Sequence, residues 1–195
     1  MDLEKKNNCS QNICKKDSKE GLVLINTGDG KGKTTAALGL ALRAAGHNFR
    51  VLILQFIKAP YYRTGEAKIM EKLKPLIEIE QLGRGFIKFK NGKPELTKEQ
   101  IDNAIESFKY AREKIYSRKY DMVILDEINN LIDYGLLKVE DVVDLIKNKP
   151  VKLCIVLTGR NAPCKLIDIA DTVTEMKEVK HASSKGIKVR KGIEY

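Results

Sequence analysis

The sequence predicts a single α/β domain built on a doubly wound, mostly parallel sheet. Three observations lead there. Short, continuous apolar runs alternate with helical segments along the chain, the pattern of strands buried on both faces. The first such run, 22–25, passes into a glycine-rich loop and then an Ala/Leu-rich helix. A later run, Met122-Val123-Ile124-Leu125, ends on two acids, Asp126 and Glu127. An α/β sheet of this kind binds ligands at the carboxyl ends of its strands.

In chain order, residues 1–20 are polar and hold too few apolar side chains to fold alone. They are expected to form a tail that orders on binding, with the domain proper at 21–195. The start has no signal-peptide core, and no apolar run approaches the roughly 20 residues of a membrane span. A cytoplasmic protein without membrane contact is therefore expected. After the first strand, a helix is predicted over 34–45, stopped by Gly46. A second strand covers 50–56, a short helix 65–73 and a third strand 77–81. The stretch 83–96 (GRGFIKFKNGKPEL) has three glycines and a proline and reads as a long loop. Thr97 and Gln100 make a capping box for a helix running to about Ser117. A fourth strand at 120–126, helices at 127–131 and 139–147, and a fifth strand at 151–158 follow. A helix at about 163–170 and a last strand near 172–176 complete the order.

A net charge of +10 favours anionic partners. The basic residues are spread along the chain among 26 acids, however, so they read as solvated faces and no nucleic-acid partner is inferred. Cys9, Cys14, Cys154 and Cys164 lack the spacing of a zinc site and read as free thiols. His47 and His181 stand alone and read as structural or surface residues.

The chemistry is concentrated in Asn26-Thr27-Gly28-Asp29-Gly30-Lys31-Gly32-Lys33-Thr34-Thr35. The usual phosphate loop is G-x-x-x-x-G-K-[ST]. Here Thr27 stands where the first glycine belongs, and Gly28 follows one place later, so the loop is one residue short. Gly28, Gly30 and Gly32 permit positive φ and close approach of phosphate oxygens. Lys33 supplies a mobile charge to the terminal phosphates, and Thr34 a hydroxyl for Mg²⁺. Asp126 and Glu127 supply the second half of such a site: one acid holds Mg²⁺ directly or through water, while the other meets a ribose or the nucleophile. Arg43, on the helix the loop opens, either folds back toward the phosphates or pairs with a sheet carboxylate. Arg160, in a Thr-Gly-Arg turn after the fifth strand, lies at the expected ligand edge. Phe86 and Phe89, in the long loop, are the aromatics placed to cover a flat ligand. These residues define a Mg-nucleotide-binding α/β protein. An ATPase, a small-molecule kinase, a transferase acting elsewhere on ATP and a non-catalytic nucleotide-binding regulator all remain open.

GDGKGKTTAALGLALRAAGH with VLILQFIK, YDMVILDEINNLIDYGLL, VLTGRNAP, IADTVTEMKEVKHA and GIKVRKGIEY resembles the P-loop type of ATP:corrinoid adenosyltransferase over 21–195. The resemblance implies a RecA-like P-loop fold and transfer of the 5′-deoxyadenosyl group of ATP to Co(I) of a corrinoid, with release of triphosphate. It implies that the short loop holds the triphosphate in the reverse sense and presents C5′. Lys33, Thr34 with Mg²⁺, the loop amides and Arg43 then stabilise the leaving group. Glu127 meets the ribose or the metal, and Asn26 and Thr27 flank the phosphates. Phe86 matches an aromatic that displaces the lower cobalt ligand. Enterobacterial members carry a tryptophan two residues on, where this chain has Lys88, and it contains no Trp; Phe89 is the nearest substitute. A homodimer, and an electron-donor protein such as a flavodoxin, are the implied partners.

Overall fold

The protein was described through a computed structural model that covers residues 20–61, 64–85 and 87–193. The expected N-terminal tail (all but Glu20), Cys9, Cys14 and Phe86 lie outside the described residues. Strands β1 (Val23–Thr27), β2 (Val51–Gln55), β3 (Ile77–Gln81), β6 (Met122–Asp126), β7 (Cys154–Thr158) and β8 (Thr172–Glu175) form one sheet in the order β3-β2-β6-β7-β1-β8. Every neighbouring pair in it is parallel. A separate antiparallel pair, β4 (Lys88–Lys90) and β5 (Lys93–Glu95), lies between β3 and the long helix α3 (Lys98–Tyr116).

Alternation along the strands decides which helix packs where. Leu52, Leu54, Val123, Leu125, Ile155 and Leu157 point to one face. There they meet Phe108 and Ile115 of α3, Leu131 of α4 (Ile128–Asp133), Leu145 of α5 (Val139–Lys147) and Leu166 of α6 (Cys164–Ile167). Val51, Ile53, Ile124 and Val156 point to the other face. They are covered by Ala37, Ala41 and Ala44 of α1 (Lys33–Ala45) and by Met70 of α2 (Gly65–Met70). Each fully buried Leu or Ile contributes about 1.5–3 kcal/mol. The alanine stripe recurs at helical spacing and presents small side chains to the sheet, so enlarging one would overpack a closely fitted face.

At the carboxyl edge the sheet changes character. Gln81 registers with Gln55, Gln55 with Asp126, and Asn26 with both Thr158 and Thr174. The pairing of Leu125 with Leu157 places Asp126 beside Thr158. One row across all six strands is thus polar, while the row before it is largely aliphatic.

The expected loop at 83–96 is corrected: part of it is a hairpin. Asn91 and Gly92, at φ 50° and 75°, join β4 to β5, and a two-residue Asn-Gly connection of that hand fits the strand twist. The fifth strand begins at Cys154, not 151, because Leu153 N–H turns back to the Pro150 carbonyl. The helix expected at 163–170 is shorter, Cys164–Ile167.

Candidate active site

The glycine loop joins β1 to α1, and its conformation follows from its composition. Gly28 and Gly32 have φ of 93° and 109°, where a side chain would be strained. A Cβ on Gly28 would also lie 2.5 Å from the Met176 carbonyl oxygen. That same carbonyl accepts from Gly30 N–H at 2.7 Å, and Met176 N–H donates to Thr27 at 2.8 Å. The chain just beyond β8 therefore braces the loop from outside. Thr27 Oγ1 accepts from Ala162 N–H at 3.1 Å, tying the loop to the turn after β7. Asn26 donates to the Lys33 carbonyl at 3.3 Å.

Lys33 lies across the loop, its Nζ donating to the carbonyls of Gly28 and Gly30 at 2.6 Å each. Burial and the Arg160 guanidinium lower its pKa, against the opposing pull of Asp29 and Glu127. Helix α1 begins after Gly32 with no side-chain cap and no acid in its first turn. Its leading N–H groups are thus left for an anion, and the helix dipole favours one there.

Thr34 bridges the two halves of the site. Its hydroxyl donates to Asp126 Oδ1 at 2.8 Å. Thr158 Oγ1 donates to the same oxygen at 2.7 Å, and Gln55 Nε2 to Oδ2 at 3.1 Å. With its O–H donated in a hydrogen bond to Asp126, the Thr34 oxygen keeps its lone pairs for a cation. A hydroxyl beside a carboxylate is a hard-oxygen set that suits Mg²⁺ completed by phosphate oxygens and water. Among the described residues no three His, Cys, Asp or Glu side chains gather to hold a metal by themselves.

Glu127 is half-buried and holds a left-handed backbone, φ 68°, a conformation that costs a non-glycine residue about 1–2 kcal/mol. Its N–H donates to Thr158 Oγ1 at 2.8 Å, and its carbonyl accepts from Asn130 N–H at 3.1 Å. Burial first, and then the Asp126 charge, push its carboxyl up to about 7, against Lys58, Lys33 and Arg160. Lys58, just past β2, pairs with Glu66 at 2.7 Å. Burial would lower Lys58, but Asp126, Glu66 and Glu127 outweigh it and leave it raised.

The turn Thr158-Gly159-Arg160 is stitched to the start of α4. Arg160 N–H donates to Asn130 Oδ1 at 2.7 Å. Gly159, at φ 132°, leaves room for Asn130 Oδ1, which a Cβ would approach to 2.6 Å. The Arg160 side chain is exposed, and its charge bears on both Lys33 and Glu127. Asp29, Lys31 and Thr35 are exposed around the loop.

The fold thus gathers residues 26–35, Asp126, Glu127 and Arg160 at one edge. It sets Arg43 apart. That exposed residue sits in the last turn of α1, nine positions past Thr34 and about 13 Å along the axis at 1.5 Å per residue. Phe89 packs edge-on against Tyr134, centroids 5.2 Å apart; burial and then the Glu127 charge raise the Tyr134 phenol. Gln55, Lys58, Thr158, Asn130 and Tyr134 were not singled out from the sequence. A signal for two of them was present: each apolar run ends on a polar side chain, as in VLILQ and CIVLT.

Loop, strand-end acid and parallel sheet together define a P-loop nucleotide-binding protein. Two solved structures share the fold at low identity. The flagellar accessory protein FlaH from Methanocaldococcus jannaschii has TM-score 0.55 at 14% identity, over 80% of this chain and 71% of that one. A KaiC-like protein from Pyrococcus horikoshii OT3 has TM-score 0.52 at 17%, over 84% and 76%. The family model described as ATP:corrinoid adenosyltransferase BtuR/CobO/CobP matches residues 19–195. A corrinoid adenosyltransferase of Sinorhizobium sp is 36% identical over 100% of this chain and 90% of its own length. One from Escherichia coli (strain K12) is 33% identical over 94% and 90%. The chain belongs to the ATP:corrinoid adenosyltransferase family.

Proposed function

We propose that the shortened loop turns ATP so that C5′, not the γ-phosphorus, faces the second substrate. The family's reaction, and this chain's, moves the 5′-deoxyadenosyl group of ATP to Co(I) of a corrinoid, in adenosylcobalamin biosynthesis or salvage. The cobalt lone pair attacks C5′, the C5′–O bond breaks, and the electron pair leaves with triphosphate. No protein base is required, so the site's work is positioning and electrostatic stabilisation of the leaving group.

In this reading the N–H groups at the start of α1 receive the triphosphate, and Lys33 exchanges loop carbonyls for phosphate oxygens. Arg160 closes the anionic site from the turn after β7. Thr34 would hold Mg²⁺ directly, with Asp126 behind it and Glu127 at its side; bound there, the cation neutralises charge building on the departing triphosphate. Glu127 in its ionised form is also placed to accept from a ribose hydroxyl. Phe89 is assigned to the corrin, and Phe86, which lies outside the described residues, is given the same partner from the sequence alone. The polar residues 1–20, an electron-donor protein such as a flavodoxin, a homodimer and a cytoplasmic setting complete the proposal. No helix among the described residues is long and apolar enough to cross a membrane.

The observation that carries the reversed nucleotide is the glycine displaced to position 28, which shortens the cradle by one residue. Phosphorus NMR of a turnover mixture with ATP, Mg²⁺ and chemically reduced cobalamin tests it. Intact triphosphate, without stoichiometric ADP, is the expected product. Corrinoid-dependent ADP and phosphate would overturn it.

A further inference from the structure

The Asp126 carboxylate is held more tightly than its bond to Thr34 requires. It is 1% exposed and accepts from three side chains: Thr34 and Thr158 on Oδ1, and Gln55 on Oδ2. Gln55 is likewise 1% exposed, and its Oε1 accepts from Gln81 Nε2 at 3.2 Å. The direction of this chain is dictated from the Asp126 end. An ionised carboxylate only accepts, so Gln55 must present its nitrogen to Asp126 and its oxygen to Gln81, and Gln81 must answer with a donor. A turned Gln55 amide would set two acceptors against each other in a buried site, a costly arrangement. Strand register supports the geometry independently, because Gln81, Gln55 and Asp126 stand opposite one another on β3, β2 and β6.

We infer that Gln55, oriented by Gln81, is a positioning residue for the magnesium–nucleotide site. By occupying Oδ2 it stops the Asp126 carboxylate from rotating and keeps Oδ1 on the Thr34 hydroxyl. That bond in turn aims the Thr34 lone pairs away from Asp126, toward the place where a cation would meet the phosphates. Neither glutamine touches substrate in this account. Each acts through Asp126, as partners behind metal ligands do elsewhere. The inference rests on the Mg-ATP reading of the loop and assigns the two strand-end amides a role within it.

Calorimetric titration of the full chain with ATP, with Mg²⁺ and again with excess chelator, tests this directly. The wild type is expected to bind ATP more tightly when Mg²⁺ is present. Gln55→Leu, close in volume but without the amide, should lose about tenfold of that magnesium-dependent gain, while its affinity for metal-free ATP changes less than twofold. Gln81→Leu, at a less buried position, should shift the gain in the same sense and by less. It also keeps the test decisive if Gln55→Leu fails to fold. A purely structural role would weaken ATP binding equally with and without Mg²⁺, and that result overturns the inference. So does an undiminished magnesium gain in folded variants. A wild type that shows no magnesium-dependent gain would instead remove the Mg-ATP reading itself, and the positioning role with it.

Discussion

Helices α1 and α3 start in opposite ways, and the contrast separates a helix end built for stability from one kept open for a ligand. At α3, Thr97 Oγ1 accepts from Gln100 N–H at 3.2 Å, Gln100 Oε1 accepts from Thr97 N–H at 3.0 Å, and Glu99 lies in the first turn. Every local device that satisfies a helix N-terminus is present. At α1 all are missing: Gly32 offers no cap, no acid stands in the first turn, and Lys33 adds a positive charge to the positive end of the dipole. Read for stability alone, that start is poor. In the proposed function an incoming polyanion supplies both the acceptors and the charge it lacks.

Exchanging features of the two ends should separate their roles. The largest effect is expected at the open end. Lys33→Ala should cost the transfer reaction roughly 2–4 kcal/mol of barrier and leave the melting temperature nearly unchanged. Near-normal turnover in saturating ATP would remove the lysine from the chemistry and weaken the contrast.

Next comes Glu127, which sharpens the comparison because its neighbourhood also sacrifices stability. Its carboxyl lies at about 7 in the folded chain, against an ordinary value of 4.5. The folded state therefore holds the proton at higher pH than the unfolded state does. Stability that depends on the neutral acid is full below 4.5, falls between 4.5 and 7, and is lost above that. In nucleotide- and metal-free protein, Glu127→Gln should be more stable than wild type at pH 8 by on the order of 2 kcal/mol. The difference should fade toward pH 4.5. Thermal melts across that range check the sign, and identical curves at pH 8 would deny the penalty.

The smallest effect belongs to the closed end. Thr97→Ala should lower stability by about 1 kcal/mol, read from urea unfolding, and leave the rate of adenosyl transfer as it was. A change in turnover would mean that α3 and the hairpin before it report on the site after all.

Much of this was legible along the chain because it is local. The Thr97–Gln100 box, the loop glycines and the acids ending an apolar run are patterns within a few residues, and the six strands of the main sheet followed from apolar runs just as short. The hairpin was legible too, in Asn91-Gly92 between KFK and KPE, but the glycine and proline content of 83–96 argued for a loop. What could not be read was sideways. That Gln55 and Thr158 flank Asp126 depends on β2 and β7 sitting on either side of β6, and strand order is not written in any short stretch. The same holds for Asn130 under Arg160 and for Lys58 near the acids, both joined across turns far apart in sequence. Arg43 stands apart from the loop for a simpler reason: a helix that begins at the loop carries its later turns away from it.

The polar row at the carboxyl edge has a consequence for how the protein comes to be folded. Its members run from Asn26 on β1 to Thr174 on β8, and each meets its neighbour only after a crossover connection has closed, since every strand pair in the main sheet is parallel. Long-range parallel pairing is intrinsically slow, and the Gln55–Asp126–Thr158 segment is in order only once β2, β6 and β7 have joined. In the proposed site nucleotide with its cation binds chains in which these strands have joined, and by mass action it draws the population toward them.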